Sequence, residues 1–145
     1  MKRLLALILL LFTAPAFAFL GDELLEPEKA FAFEASVHNG DTLVAEWRIA
    51  DGYYMYREQF EFESQTDGIR LGTPRIPAGT VKQDEFFGRV ETYRNHIRIE
   101  LPIQRASGAP NRIELKARSQ GCADIGVCYP PLFQTASLDL PAAPA

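Results

Sequence analysis

The chain has little cysteine, with only Cys122 and Cys128 among its 145 residues. Two cysteines allow one bridge at most, so the fold has to rest on an apolar core. No Cys-x-x-Cys occurs, the two histidines (His38 and His96) stand far apart in sequence, and methionine occurs only twice. The ligand spacings usual for metal sites are therefore missing. Basic residues are the minority, 15 Lys and Arg against 19 Asp and Glu, and they are scattered. A nucleic-acid binder needs a basic patch, so that class is excluded. There is no internal repeat, and no stretch keeps a 3.6-residue apolar period apart from a possible turn over residues 23–29.

One long apolar run is present, and it lies at the start. Lys2 and Arg3 precede an unbroken stretch from Leu4 to Phe12, and Ala16-Phe17-Ala18 offers a small-x-small site. These are the three parts of a secretory signal peptide cleaved after Ala18. The run is well short of the roughly 20 residues that a spanning helix needs. No cysteine follows the site, which argues against a lipoprotein. Residues 1–18 are thus expected to be a signal peptide, and residues 19–145 one exported domain. About 127 residues make an ordinary single domain with a real core. An exported, oxidising compartment also permits a disulfide.

The rest reads as β-structure. Phe31, Phe33, Ala35 and Val37 alternate with other residues, and Asn39-Gly40 follows as a two-residue hairpin signal. Leu43, Ala45, Trp47 and Ile49 alternate next, and Asp51-Gly52 then turns the chain into Tyr53-Tyr54-Met55-Tyr56. Further alternation occurs at Phe60 and Phe62, over Ile97 to Ile103, over Ile113 to Ala117, and over Ala136 to Leu140. Seven or eight short strands with Gly, Pro, Asn and Asp punctuation predict an all-β, immunoglobulin-like sandwich. Residues 72–90 break the pattern and read as a long irregular loop. It contains Asp84-Glu85-Phe86-Phe87-Gly88, in which two adjacent rings need something to cover.

The cysteines lie in Gly121-Cys122-Ala123-Asp124-Ile125-Gly126-Val127-Cys128-Tyr129-Pro130-Pro131. Loop-closure entropy for so short a ring is worth roughly 2.4 kcal/mol. A bridge across the whole domain would stabilise it nearly twice as much. Composition alone leaves a structural staple and a redox couple both open. Soft-metal binding, for example Cu(I) with His38 or His96, is a third and weaker reading.

This cysteine segment closely resembles the redox loop in the N-terminal periplasmic domain of the DsbD family, the transmembrane thiol:disulfide interchange proteins. Asp51-Gly52-Tyr53-Tyr54-Met55-Tyr56-Arg57 resembles that family's tyrosine-bearing strand, and Asp84 to Gly88 its cap loop. The three motifs stand in the family's order, and the likeness runs from about Phe31 to Leu140. It implies a periplasmic thiol–disulfide oxidoreductase with an immunoglobulin-like fold, whose working group is a redox-active Cys122–Cys128 disulfide with no metal or other cofactor. Cys128 would form mixed disulfides and Cys122 would resolve them. Phe86 would be a lid, and Asp84, Glu85, Tyr54 and Tyr56 would line the site. Gly88 would serve as a hinge, since glycine tolerates unusual backbone angles. Phe87 stands where the best-known members carry a tyrosine, so no hydroxyl is available there.

The implied partners are an electron-donating thioredoxin-like domain of a membrane protein and periplasmic disulfide proteins. The latter include DsbC-type isomerases and the thioredoxin-like proteins of cytochrome c maturation. On this reading the chain takes its electrons from a separate donor. The rival reading is a non-enzymatic immunoglobulin-like interaction module with a structural disulfide.

Overall fold

The computed structural model describes residues 23–143. The expected signal peptide, Met1 to Ala18, lies outside the described residues. In chain order the strands are β1 (Phe31–Asn39), β2 (Thr42–Ile49), β3 (Tyr53–Tyr56), β4 (Glu61–Ser64), β5 (Ile69–Leu71) and β6 (Thr80–Asp84). They continue with β7 (Gly88–Tyr93), β8 (His96–Arg105), β9 (Arg112–Ser119), β10 (Gly121–Ala123), β11 (Val127–Cys128) and β12 (Leu132–Asp139). A single helical turn, α1 (Pro27–Ala30), precedes β1. No helix among the described residues is long and apolar enough to cross a membrane.

The strands form three antiparallel sheets, ordered β1-β2-β8-β5, β11-β10-β3-β7-β6 and β12-β9-β4. All three contribute to one core, and the alternating residues explain how. Leu43, Ala45 and Trp47 from β2 are fully buried, as are Ile99 and Leu101 from β8 and Ile113 and Leu115 from β9. Side chains on a strand point alternately to opposite faces, so each strand delivers one apolar row inward. Trp47 packs against the rings of Phe33, Phe60 and Phe62 at 4.8, 5.0 and 6.0 Å. Its indole N–H donates to Gln134 Oε1 at 3.0 Å, which satisfies the one polar atom it buries. The result is the expected immunoglobulin-like β-sandwich.

Two local readings are corrected. The β1–β2 hairpin forms, but its turn residues are Gly40 and Asp41, because Asn39 pairs with Thr42. A register irregularity between Val37 and Asn39 moves the turn one residue on. More consequentially, residues 72–90 are not one irregular loop. β6 and β7 make an antiparallel hairpin in register from Thr80↔Thr92 to Asp84↔Gly88. β6 runs along the edge of its sheet and exposes Thr80, Val81 and Gln83, so it has no buried apolar row to reveal it in sequence.

The cysteine bridge is marginal to this core. It spans six positions at one edge of one sheet, while the core clusters around Trp47. Reduction should therefore cost a few kcal/mol at most. Thermal unfolding with and without dithiothreitol is expected to show a lower midpoint on reduction, with the reduced domain still folded at 25 °C. A reduced domain that melts below that temperature would favour the staple.

Candidate active site

The middle strand of the five-stranded sheet, β3, separates two environments. Tyr53 and Met55 point into the main core. Tyr54 and Tyr56 point the other way, into a second small cluster with Val90, Cys122 and Cys128. Period-two alternation on four residues thus builds both faces. β10 pairs with β3 in register, setting Cys122 opposite Tyr54, and β11 pairs with β10, setting Cys128 opposite Cys122. The two cysteines are disulfide-bonded across that pair, with their Cα atoms 4.0 Å apart.

Gly121 allows β10 to lie this close to β3. A Cβ there would sit 2.5 Å from the Tyr54 carbonyl oxygen and collide with the Phe31 ring. The sulfurs are not equivalent. Cys122 is fully buried, whereas Cys128 lies on the edge strand β11 and is partly exposed.

Polar groups meet behind the bridge. The Tyr56 hydroxyl oxygen is 3.1 Å from Cys122 Sγ and 3.9 Å from Cys128 Sγ. It donates to Asp84 Oδ2 at 3.0 Å, and the Tyr54 hydroxyl donates to Asp84 Oδ1 at 3.2 Å. Burial, together with these tyrosine and carboxylate neighbours, pushes the Tyr56 phenol well above its usual range, so it stays protonated. Asp84 is 5% exposed and also accepts the backbone N–H groups of Phe86 and Phe87 at 2.9 and 3.1 Å. Burial alone would raise its pKa. The two N–H groups and the two tyrosine hydroxyls outweigh burial and hold the carboxyl below the usual range.

The five cap-loop residues form the tip of the β6–β7 hairpin. Asp84 and Gly88 are its last register pair, leaving Glu85, Phe86 and Phe87 as the turn. Gly88 has φ +75°, in the left-handed region that such a three-residue turn requires and that glycine enters freely. Glu85 reaches toward the cysteine ring, its Oε1 3.8 Å from where a Cβ on Gly126 would sit. Both phenylalanine rings are about half exposed. Phe87 is therefore not a core residue. Its ring meets Tyr56 edge-on at 4.9 Å, behind the bridge. The hairpin thus brings Asp84 to both tyrosines and the Phe87 ring to Tyr56, which contacts the sulfurs, while Phe86 is tied to the cluster through its N–H on Asp84.

Three residues of this neighbourhood were given no role by the sequence reading. Lys82 Nζ lies 3.9 Å above the Tyr54 ring and 3.6 Å from Asp84 Oδ1. Arg94 stands over the same ring at 5.2 Å and grips Asp124, which lies inside the cysteine ring. Asp124 is visible only as part of the cysteine motif, and nothing local marks Lys82 or Arg94. His96 is engaged by Glu46 on the four-stranded sheet, away from the cysteines. No group of three or more His, Cys, Asp or Glu among the described residues is arranged to hold a metal ion.

Fold and site together define an immunoglobulin-like domain with one disulfide on a sheet edge, flanked by a hairpin tip and backed by a tyrosine–carboxylate cluster. Comparison with known proteins gives this class its family. The family model for "Thiol:disulfide interchange protein DsbD, N-terminal" matches residues 21–140, and the chain belongs to that family. The thiol:disulfide interchange protein DsbD of Neisseria meningitidis serogroup A is 42% identical over 135 residues, covering 91% of this chain and 22% of the relative. The Pseudomonas fluorescens protein of the same name is 39% identical over 151 residues, covering all of this chain and 24% of the relative. The chain thus spans about a quarter of the length of the curated relatives it matches.

Among solved structures, the reduced N. meningitidis DsbD N-terminal domain superposes with TM-score 0.70 at 37% identity, over 80% of this chain and 90% of the other. The complex between the DsbD N-terminal and PilB N-terminal domains from the same organism gives TM-score 0.66 at 39% identity, over 80% and 88%.

Proposed function

We propose that this chain is a periplasmic thiol–disulfide exchange domain, which accepts electrons from a thioredoxin-like domain of a membrane protein and passes them to exported disulfide proteins. DsbC-type isomerases and the thioredoxin-like proteins of cytochrome c maturation are the client classes. The observation that carries this reading is the asymmetry of the bridge, with Cys128 partly exposed on an edge strand and Cys122 buried against Tyr56. A staple needs no such difference between its sulfurs. The relative whose N-terminal domain forms a complex with a PilB domain supports a docking role for this fold.

In the forward half-reaction a donor thiolate attacks Cys128 Sγ in line with the S–S bond. That bond breaks, a donor–Cys128 disulfide forms, and the electron pair leaves on Cys122 Sγ, which takes up a proton. The donor's second thiolate then attacks its own sulfur in the mixed disulfide and releases Cys128, so two electrons and two protons have entered the domain. Client reduction runs the same steps in reverse, with Cys128 attacking and Cys122 resolving. The Tyr56 oxygen can accept a hydrogen bond from the reduced Cys122 thiol, because its own proton is directed at Asp84. The ionised Asp84, with the Glu85 side chain beside it at the hairpin tip, disfavours thiolate formation nearby, which keeps the reduced pair quiet until a partner docks.

The hairpin tip acts as the cap, with the Phe86 ring shielding the sulfurs from small thiols and Gly88 as the hinge. Exposed Ile125 and Val127 in the cysteine ring, with Phe86 and Phe87, give a docking partner apolar contact around the bridge. The test is stopped-flow reduction of the oxidised domain by dithiothreitol and by a reduced thioredoxin-like domain of a DsbD relative. The protein donor should act far faster at equal concentration, and failure to reduce the bridge would return it to the staple reading. Phe86→Ala should speed dithiothreitol several-fold and change the protein donor less, because docking moves the cap anyway. Phe87→Ala, at a half-exposed ring, should cost about 1 kcal/mol of stability. Unchanged dithiothreitol kinetics in a folded Phe86→Ala variant would remove the lid.

A further inference from the structure

Opening the S–S bond leaves the cysteine ring with few restraints of its own. β10 and β11 share only two register pairs, one of them the cysteines themselves. β10 keeps Cys122 and Ala123 paired with β3, and outside the strand ladders three backbone bonds hold the ring: Gly126 N–H to the Ala123 carbonyl at 3.0 Å, Tyr129 N–H to Gly121 at 3.0 Å, and Asp124 N–H to Gly52 at 2.8 Å. Beyond Ala123, where the ring leaves β3, a further restraint is a side chain from outside it. Arg94 donates to both oxygens of Asp124, Nη1 to Oδ2 at 3.0 Å and Nη2 to Oδ1 at 2.8 Å. This forked pairing fixes the carboxylate's orientation as well as its position.

Arg94 is itself well anchored. It occupies the two-residue link between β7 and β8, where the chain passes from the five-stranded to the four-stranded sheet. Asn95 beside it has φ +67°, and its carbonyl accepts the Ile49 N–H at 2.8 Å, tying the link to the core strand β2. Nη1 also reaches the Tyr53 carbonyl at 3.4 Å, and the guanidinium stands over the Tyr54 ring, whose hydroxyl holds Asp84. The fork therefore ties the tip of the cysteine ring to the rigid sandwich and, through Tyr54, to the root of the cap.

We infer that Arg94 is a positioning residue for the exchange reaction, holding the ring through Asp124 so that the two thiols of the reduced domain stay poised to reclose. This rests on the exchange reading above. A tether that acts mainly when the bridge is open raises the effective concentration of one thiol at the other and so favours the disulfide. A residue that merely supported the fold would stabilise both redox states alike and leave their balance unchanged.

The experiment is equilibration of the full chain with reduced and oxidised glutathione. Closure transfers two electrons from the Cys122 and Cys128 thiols to one glutathione disulfide, giving the domain disulfide and two glutathione thiols, which carry the two protons. Arg94→Ala should lower the closure constant about two- to fivefold, within the range of a half-exposed ion pair and equivalent to roughly 10–20 mV. Asp124→Asn should match it, and the double variant should add little, since both changes remove the same contact. Arg94→Lys, a point charge without the fork, should recover part of the loss.

Should Arg94→Ala disturb the fold by circular dichroism, Asp124→Asn supplies the same comparison. A wild-type bridge that equilibrates, with closure constants unchanged in Arg94→Ala and Asp124→Asn, would overturn the assignment while leaving the exchange reading intact. A wild-type bridge that neither glutathione nor a reduced thioredoxin-like domain opens would overturn both.

Discussion

Cys128→Ala should reduce exchange with any protein partner to the uncatalysed background, whereas Cys122→Ala should capture partners as stable mixed disulfides. The cause is access. An attacking thiolate must approach along the S–S axis, and Cys128 lies on the edge strand β11 with part of its surface open. Cys122 is fully buried beneath Tyr54 and Tyr56, so a partner cannot reach its sulfur without displacing the cluster. With Cys122 replaced, the mixed disulfide on Cys128 has no resolving thiol and persists. Non-reducing gels of each variant, expressed in an oxidising compartment with a thioredoxin-like partner, give the answer. Equal capture by both variants would reverse or erase the assigned roles.

Asp84→Ala should destabilise the oxidised domain by about 3 kcal/mol at neutral pH, a large cost for a residue so near a loop tip. The carboxylate accepts two tyrosine hydroxyls and two backbone N–H groups while almost wholly removed from solvent. Alanine leaves these donors without their acceptor, and each buried orphan is costly. The two N–H groups belong to Phe86 and Phe87, so the cap should loosen as well, and dithiothreitol should reduce the bridge faster.

The pH dependence follows from the direction of the carboxyl's shift. Its folded-state pKa lies below the ordinary value, so its contribution is complete above the unfolded carboxyl's pKa. That contribution is lost as pH falls through the lower, folded value. The gap between wild type and Asp84→Ala should therefore be widest near neutrality and narrow below about pH 4. Urea unfolding at pH 7 and pH 3 measures both. A variant within about 0.5 kcal/mol of wild type at pH 7 would show that the cluster carries no net stability.

Much of this protein was legible in its sequence, because alternation is a local property. The rows at Leu43 to Ile49 and Ile97 to Ile103 mark β2 and β8 directly, since a strand with one buried face writes that face into every second residue. Tyr54 and Tyr56, two residues apart, could likewise be placed on one face. The cysteines were identifiable as a close pair, and the resemblance of their surroundings pointed to exchange. Strand β6 left no such trace, because an edge strand with one buried residue, Asp84, has no period to read. A loop was therefore expected where a hairpin stands, and Phe87 proved half exposed.

Sequence by itself determined the β-sandwich, the identity of the bridge and the candidate cap, since each rests on residues close together in the chain. Tertiary structure alone decided which cysteine is the more exposed, that Asp84 gathers four donors, and that Lys82 and Arg94 flank Tyr54. Those facts depend on register between strands distant in sequence: Arg94 lies 30 residues from Asp124, and Tyr56 lies 66 from Cys122. No local pattern encodes such distances. They arise only when burial of the alternating rows locks the sheets and brings side chains from β3, β6 and β10 together.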